Sequence, residues 1–144
     1  MYNFGDCGET KKDIKIVCEE NTRKFVGLNL SRKEIFKVKV DGCLTINGKK
    51  CDWLLIDTGS HIAHFIELKG CELNTAVKQL GNSILVVSKP QNGYIEKEFS
   101  KKNAYAVLSR CPIDGPGIQK LKIKFKKEYK ADLTVRNKIF ELKF

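Results

Sequence analysis

Asp52, Glu67 and Lys69 bracket a stretch, residues 51–69, that reads as two strands joined by a turn at Thr58-Gly59-Ser60-His61. Side chains alternate faces along a strand, so Glu67 and Lys69 point the same way. If four residues form the turn, Asp57 pairs with Ile62, and counting back sets Asp52 opposite Glu67. Directly opposed residues share a face, with Cβ atoms ~5 Å apart. Two carboxylates at that spacing repel unless one holds a proton or a cation lies between them. Lys69 supplies one positive charge, and a divalent ion would supply the rest. Carboxylate oxygens are hard ligands, suited to Mg²⁺ or Mn²⁺ rather than zinc. A three-residue turn would shift the register by one and put the two carboxylates on opposite faces. The alternative is an exposed hairpin carrying ordinary surface charges.

The elements around this hairpin must hold it in place. Residues 1–24 are polar and poorly defined, with a short helix expected over Lys11–Thr22. Phe25–Leu30 reads as a strand. Glu34–Val40 alternates Ile35, Lys37 and Lys39 against Phe36, Val38 and Val40, a half-buried strand that Asp41-Gly42 ends. Asn47-Gly48 is a hairpin turn signal between Leu44–Ile46 and the strand beginning near Cys51. Gly70 breaks the pattern. Leu73, Ala76, Val77, Leu80 and Ile84 then mark one face of a helix. Tyr105–Ser109 is an apolar strand stopped by Cys111-Pro112. Ile118, Leu121, Phe125 and Tyr129 form a second helical stripe, and Ala131–Val135 and Ile139–Phe144 are closing strands. This order predicts a single α/β (α+β) domain over residues 1–144, a mixed central sheet with an N-terminal β-meander, flanked by helices.

Composition narrows the partners. The chain has 144 residues, 42% hydrophobic and 31% charged, an ordinary globular balance. No apolar run approaches the ~20 residues of a membrane-spanning helix, and the N-terminus lacks a signal-like apolar core. No membrane association and a cytoplasmic location are therefore expected. Lys and Arg outnumber Asp and Glu by 27 to 17, a net charge of +10. Such an excess favours a polyanion, with nucleic acid the usual one, against the plainer reading of a solvated lysine-rich surface. Lys120, Lys124 and Lys127 lie on the basic face of the second helix and suit a phosphate backbone. Arg110, at the end of a central strand, and Lys37 and Lys39, in line with Lys69, are further phosphate contacts. The six cysteines, Cys7, Cys18, Cys43, Cys51, Cys71 and Cys111, contain no C-x-x-C pair. They are expected as free thiols in small core positions. Cys43 and Cys51 flank a short turn and can lie close together.

The hairpin resembles the PD-(D/E)xK nuclease superfamily, whose members include restriction-endonuclease-like and Holliday-junction-resolvase-like enzymes. Asp52 stands where that family's first Asp opens a strand, with Cys51 in place of the usual Pro. Glu67-Leu68-Lys69 stands as the E-x-K, after the apolar run Ile62–Ile66, and the helix that follows carries Gln79. The resemblance covers roughly residues 34–88 well, and the tail loosely. It implies a restriction-endonuclease-like fold and Mg²⁺- or Mn²⁺-dependent cleavage of phosphodiesters, most naturally in DNA. Asp52, Glu67 and the Leu68 carbonyl would hold the metal. Lys69 would position the attacking water, and Gln79 would orient Lys69 or touch phosphate, the alternative being a plain solvent-facing Gln. An additional acidic ligand from an N-terminal helix is common in the family; Glu19, Glu20 and Glu34 are the candidates. Asp41 reads as a turn residue. Sequence-specific cutting would require a partner or a homodimer. A non-catalytic nucleic-acid-binding module of the same fold is the first alternative.

Trp53–Ser60, with Asp57-Thr58-Gly59-Ser60 at its end, also resembles the catalytic loop of retroviral-type aspartic proteases. That implies a dimer in which Asp57 shares a proton with its twin. The flap and the later Gly-ended strand of those proteases have no convincing counterpart here. Asp, Thr, Gly and Ser are also ordinary turn residues. By alternation Asp57 faces away from Asp52, ~16 Å along the strand at ~3.3 Å per residue.

Overall fold

Thr58–His61 is the turn of a hairpin between β5 (Trp53–Asp57) and β6 (Ile62–Leu68), with Asp57 paired to Ile62 and Trp53 to Ile66. His61 closes it in the left-handed region, at φ 57°, and donates its N–H to the Asp57 carbonyl at 2.8 Å. The four-residue turn and its register are those the spacing predicts. The computed structural model describes residues 2–109 and 115–144. It shows a mixed α/β fold of two sheets and two α-helices.

The larger sheet has six strands in the order β1-β4-β5-β6-β7-β8. β1 (Gly8–Lys11) and β4 (Ile35–Lys39) extend the hairpin antiparallel on one side. On the other side β7 (Lys101–Leu108) and β8 (Asp132–Asn137) run parallel to β6. Parallel neighbours require crossovers. α1 (Leu73–Val87) and α2 (Pro116–Tyr129) are those crossovers. Ala76, Leu80, Ile84 and Val87 form the buried stripe of α1, on the period read from the sequence. α2 opens on Pro116, whose ring pre-sets helical φ, and buries Phe125.

The opposite face of the large sheet is covered by a three-stranded sheet, β2-β3-β9. β2 (Lys15–Glu20) and β3 (Arg23–Leu28) form a tight antiparallel hairpin. β9 (Ile139–Lys143) joins β3 in parallel. The helix expected over Lys11–Thr22 is thus a strand. Ile16 and Cys18 are buried while Lys15, Val17 and Glu19 are exposed, a period of two that long-range packing rewards and a lone segment cannot. Phe25–Leu30 belongs to this second sheet rather than to the meander. Leu44–Ile46 is not a strand either: Leu44 and Ile46 are buried in a turn-rich segment, so the Asn47-Gly48 hairpin does not form.

The large sheet therefore separates two cores. One lies beneath the helices and includes Leu54, Ile56, Phe65, Leu80 and Phe125. The other lies between the sheets and includes Phe25, Leu55, Ile66, Leu68 and Tyr105. Phe25 is the pin of the second core, packing edge-on to Tyr105 at 4.9 Å and against Phe140 at 5.6 Å.

The expectation of free thiols holds only in part. Cys18 and Cys51 are free and buried. Cys7 and Cys43 are joined in a disulfide, so Cys43 is not a neighbour awaiting Cys51. β1 pairs with β4 and carries the N-terminus to the turn after β4, a contact between positions 36 apart that sequence spacing does not reveal. Cys71 is also disulfide-bonded. Among the described residues no helix is long and apolar enough to cross a membrane.

Candidate active site

At the C-terminal end of β6 a cleft of about 250 Å³ is lined by Glu20, Arg23, Asp41, Asp52, Glu67, Leu68, Lys69, Gly70 and Gln79. Two local devices shape it. The first is the strand alternation of β6, which puts Glu67 on the face opposite Leu68 and Ile66. The second is the end of β5. There the Asp52 N–H bonds the Ile66 carbonyl at 3.1 Å, and the Asp52 carboxylate accepts the Leu68 N–H at 2.8 Å. Asp52 Oδ2 stands in for the strand carbonyl that a continued ladder would offer. Lys69 and Gly70 are held by β7 and its end: the Lys69 N–H bonds the Val107 carbonyl at 3.1 Å, and the Ser109 N–H bonds the Gly70 carbonyl at 2.8 Å.

The electrostatics are those of two acids sharing a buried space. Glu67 is only 2% exposed. Burial, then the Asp52 charge, pushes its carboxyl up to about 8, against the pull of nearby Lys69. Asp52 is raised too, mainly by burial, although the Leu68 N–H draws it down; the charges of Glu20 and Asp41 raise it further, and a side-chain hydrogen bond with Glu67 lowers it. Without a cation the pair therefore holds a proton near neutral pH.

Two acceptor atoms in this cleft, Glu67 Oε1 and Gln79 Oε1, are buried without a hydrogen-bond partner. Gln79 spends its Nε2 on the Lys50 carbonyl at 3.3 Å, which turns its oxygen free. Buried unsatisfied acceptors cost about 1–3 kcal/mol each. A cation, or the water around one, relieves both. Among the described residues no group of three or more His, Cys, Asp and Glu is disposed to hold a metal on its own. Asp52, Glu67 and the Leu68 carbonyl are a sparse oxygen set. That suits a Mg²⁺-type ion, which retains several waters.

Of the three acids considered as an additional ligand, Glu20 is in the cleft. Glu19 alternates away and is ion-paired to Lys24 at 3.6 Å. Glu34 lies at the far end of the hairpin, where its carbonyl accepts from the Thr58 hydroxyl at 3.1 Å. Asp41 is a turn residue before Gly42, at φ 83°, yet it also lines the cleft. Arg23 is a cleft residue that the sequence does not announce. Its only local signal is its place after Asn21-Thr22, a two-residue turn that pairs it with Glu20.

The basic residues do not all converge. Lys37 and Lys39 are not in line with Lys69. They share the opposite face with Trp53, their ammonium groups 4.6 and 4.8 Å from its ring centre, and Lys37 Nζ donates to the Val17 carbonyl at 2.8 Å. Paired strands keep side chains in register across the sheet, so residues opposite Leu55 and Trp53 cannot join Asp52's face. Lys120, Lys124 and Lys127 are exposed on α2, outside the cleft. Arg110 lies outside the described residues. Asp57 is 8% exposed, ion-paired to Lys33 at 3.6 Å, and sits at the other end of the hairpin. No protein-family model matches the chain, and comparison with the curated proteins and with solved structures finds no match.

Proposed function

We propose that this protein is a Mg²⁺- or Mn²⁺-dependent nuclease of the PD-(D/E)xK type, with a restriction-endonuclease-like fold, acting on the phosphodiester bonds of DNA. The observation that carries the reading is the meeting of Asp52, Glu67, Lys69 and Gln79 in one cleft, from a strand end, a second strand and a helix. Asp52, Glu67 and the Leu68 carbonyl would hold the cation. When bound, the cation would supply Lewis-acid polarisation of the phosphate and a lowered pKa for water. Lys69 stabilises the charge that grows on the phosphate oxygens and orients the attacking water. Gln79 Oε1, free of any protein partner, accepts a hydrogen bond from that water or from Lys69. Lys120, Lys124 and Lys127 add long-range attraction for a polyanion, and the net charge of +10 favours nucleic acid over a peptide substrate.

The test is incubation of the purified protein with plasmid and linear DNA in Mn²⁺ or in EDTA. Cleavage that needs the divalent ion and is lost in Lys69→Ala is the expected result. Cleavage that survives EDTA or Lys69→Ala would sink the mechanism. DNA binding without any cleavage would make the protein a non-catalytic module.

A further inference from the structure

Arg23 enters the cleft from the small sheet, whereas Asp52 and Glu67 come from the hairpin of the large one. It is the first residue of β3, opposite Glu20 across the turn at Asn21-Thr22, and Asn21 adopts a left-handed φ of 54° to make that turn. Its Nη1 donates to Ser109 Oγ at 3.0 Å, which braces the guanidinium against the end of β7. Its Nε is buried and has no partner. Four carboxylates line the same cleft, yet among the described residues none forms an ion pair with Arg23 within 4.0 Å.

A half-buried guanidinium with a buried idle N–H is costly unless something meets it. The protein's own acids do not. With Nη1 taken by Ser109, Nε and Nη2 remain. Those two donors form the side-on fork that matches two oxygens of a single planar or tetrahedral anion. Lysine could not present this edge. Carboxylates on both sides of the cleft repel a free anion, so the anion must arrive with a cation or be tethered to a larger ligand. A phosphate within a nucleic-acid backbone meets both conditions.

We infer that Arg23 is a phosphate-binding residue of this cleft, gripping a backbone phosphate of the nucleic acid next to the one held near Lys69. The inference rests on the nucleic-acid reading of the cleft but not on turnover. It also gives the small sheet a role in binding. The β2–β3 hairpin carries the phosphate clamp, and Ser109 is the positioning residue that aims it.

Binding of a fluorescein-labelled DNA duplex, measured by anisotropy in Ca²⁺ over a salt series, tests this. Arg23→Gln should weaken binding about tenfold and reduce the slope of log affinity against log salt by about one. Lys97→Gln, a surface change beyond the cleft, should leave both nearly as in the parent. Unchanged affinity and slope in Arg23→Gln would overturn the inference, even if the parent protein cuts DNA. Arg23-dependent binding with no cleavage in Mn²⁺ would uphold it while removing the nuclease reading. A measurement on the unaltered protein guards against misfolding of the variant. The Arg23 Nε–H resonance should move when a short duplex is added, and a resonance that stays in place overturns the inference.

Discussion

The Asp52 carboxylate accepts the main-chain N–H of Leu68 at 2.8 Å, so one acid of the cleft is held by the residue between Glu67 and Lys69. The strand that supplies two of the functional groups thus orients a third. A shift of β5 against β6 would break this bond and turn Asp52 away from the cleft.

Lys69 carries the charge nearest the acidic pair. If the protein is the nuclease proposed, Lys69→Ala should lower kcat for DNA cleavage by about 10²–10³ with little change in binding, since it would remove stabilisation realised in the transition state. Single-turnover cleavage rates measured beside anisotropy separate the two effects.

The metal-free protein should lose stability toward alkaline pH. Glu67 gives up its proton near 8 in the fold and near its ordinary 4.5 when unfolded. Between these values the unfolded chain binds fewer protons, so stability is full below 4.5 and declines up to 8. His64 has the opposite sign: burial pushes it down to about 4, so its contribution rises with pH up to its ordinary 6.5. Asp52, also raised by burial, acts in the same sense as Glu67, so above pH 6.5, where His64 no longer opposes the pair, stability should fall with pH up to about 8. Urea denaturation in EDTA should show that decline, and Glu67→Gln should flatten it.

A divalent cation should reverse that trend. On the proposed reading it would bind the deprotonated pair, so the melting-temperature rise caused by Mn²⁺ should be larger at pH 8 than at pH 5.5. Asp52→Asn should abolish most of the rise at both values. A rise that persists in Asp52→Asn would place the ion elsewhere.

Phe25 joins the two sheets. Phe25→Ala should cost about 3–5 kcal/mol in chemical denaturation. Where the fold survives, the loss should fall on the hairpin that bears Glu20 and Arg23, and DNA affinity should drop more than in a surface variant of β2 such as Glu19→Gln.

Reduction of the Cys7–Cys43 disulfide releases a tie between positions 36 apart and should lower stability by about 3–4 kcal/mol. Differential melting of Cys7→Ser beside the parent, both without reductant so that the disulfide of Cys71 stays intact, reads the effect.

Local rules make part of this protein legible from its sequence. The alternation of β6 and the length of the Thr58–His61 turn decide that Glu67 and Lys69 share a face and that Asp52 comes opposite Glu67. These features depend on neighbours a few residues apart, so period and turn chemistry suffice. The Lys11–Thr22 segment misleads because a short polar stretch has no strong period until a partner sheet covers it.

What lies far apart in the chain was decided by tertiary structure. The small sheet forms because β9, at the end of the chain, pairs with β3, near its start, and buries Phe25 against Tyr105. Only that packing selects Glu20 over Glu19 and Glu34 and delivers Arg23 to Ser109; the pairing of β4 with β5 sets Lys37 and Lys39 over Trp53. The disulfide follows the pairing of β1 with β4 in the same way. By itself the sequence determined two carboxylates and a lysine on one hairpin face. The fold decided which distant acid and which arginine meet them, because non-local burial, not local propensity, sets where separate strands come together.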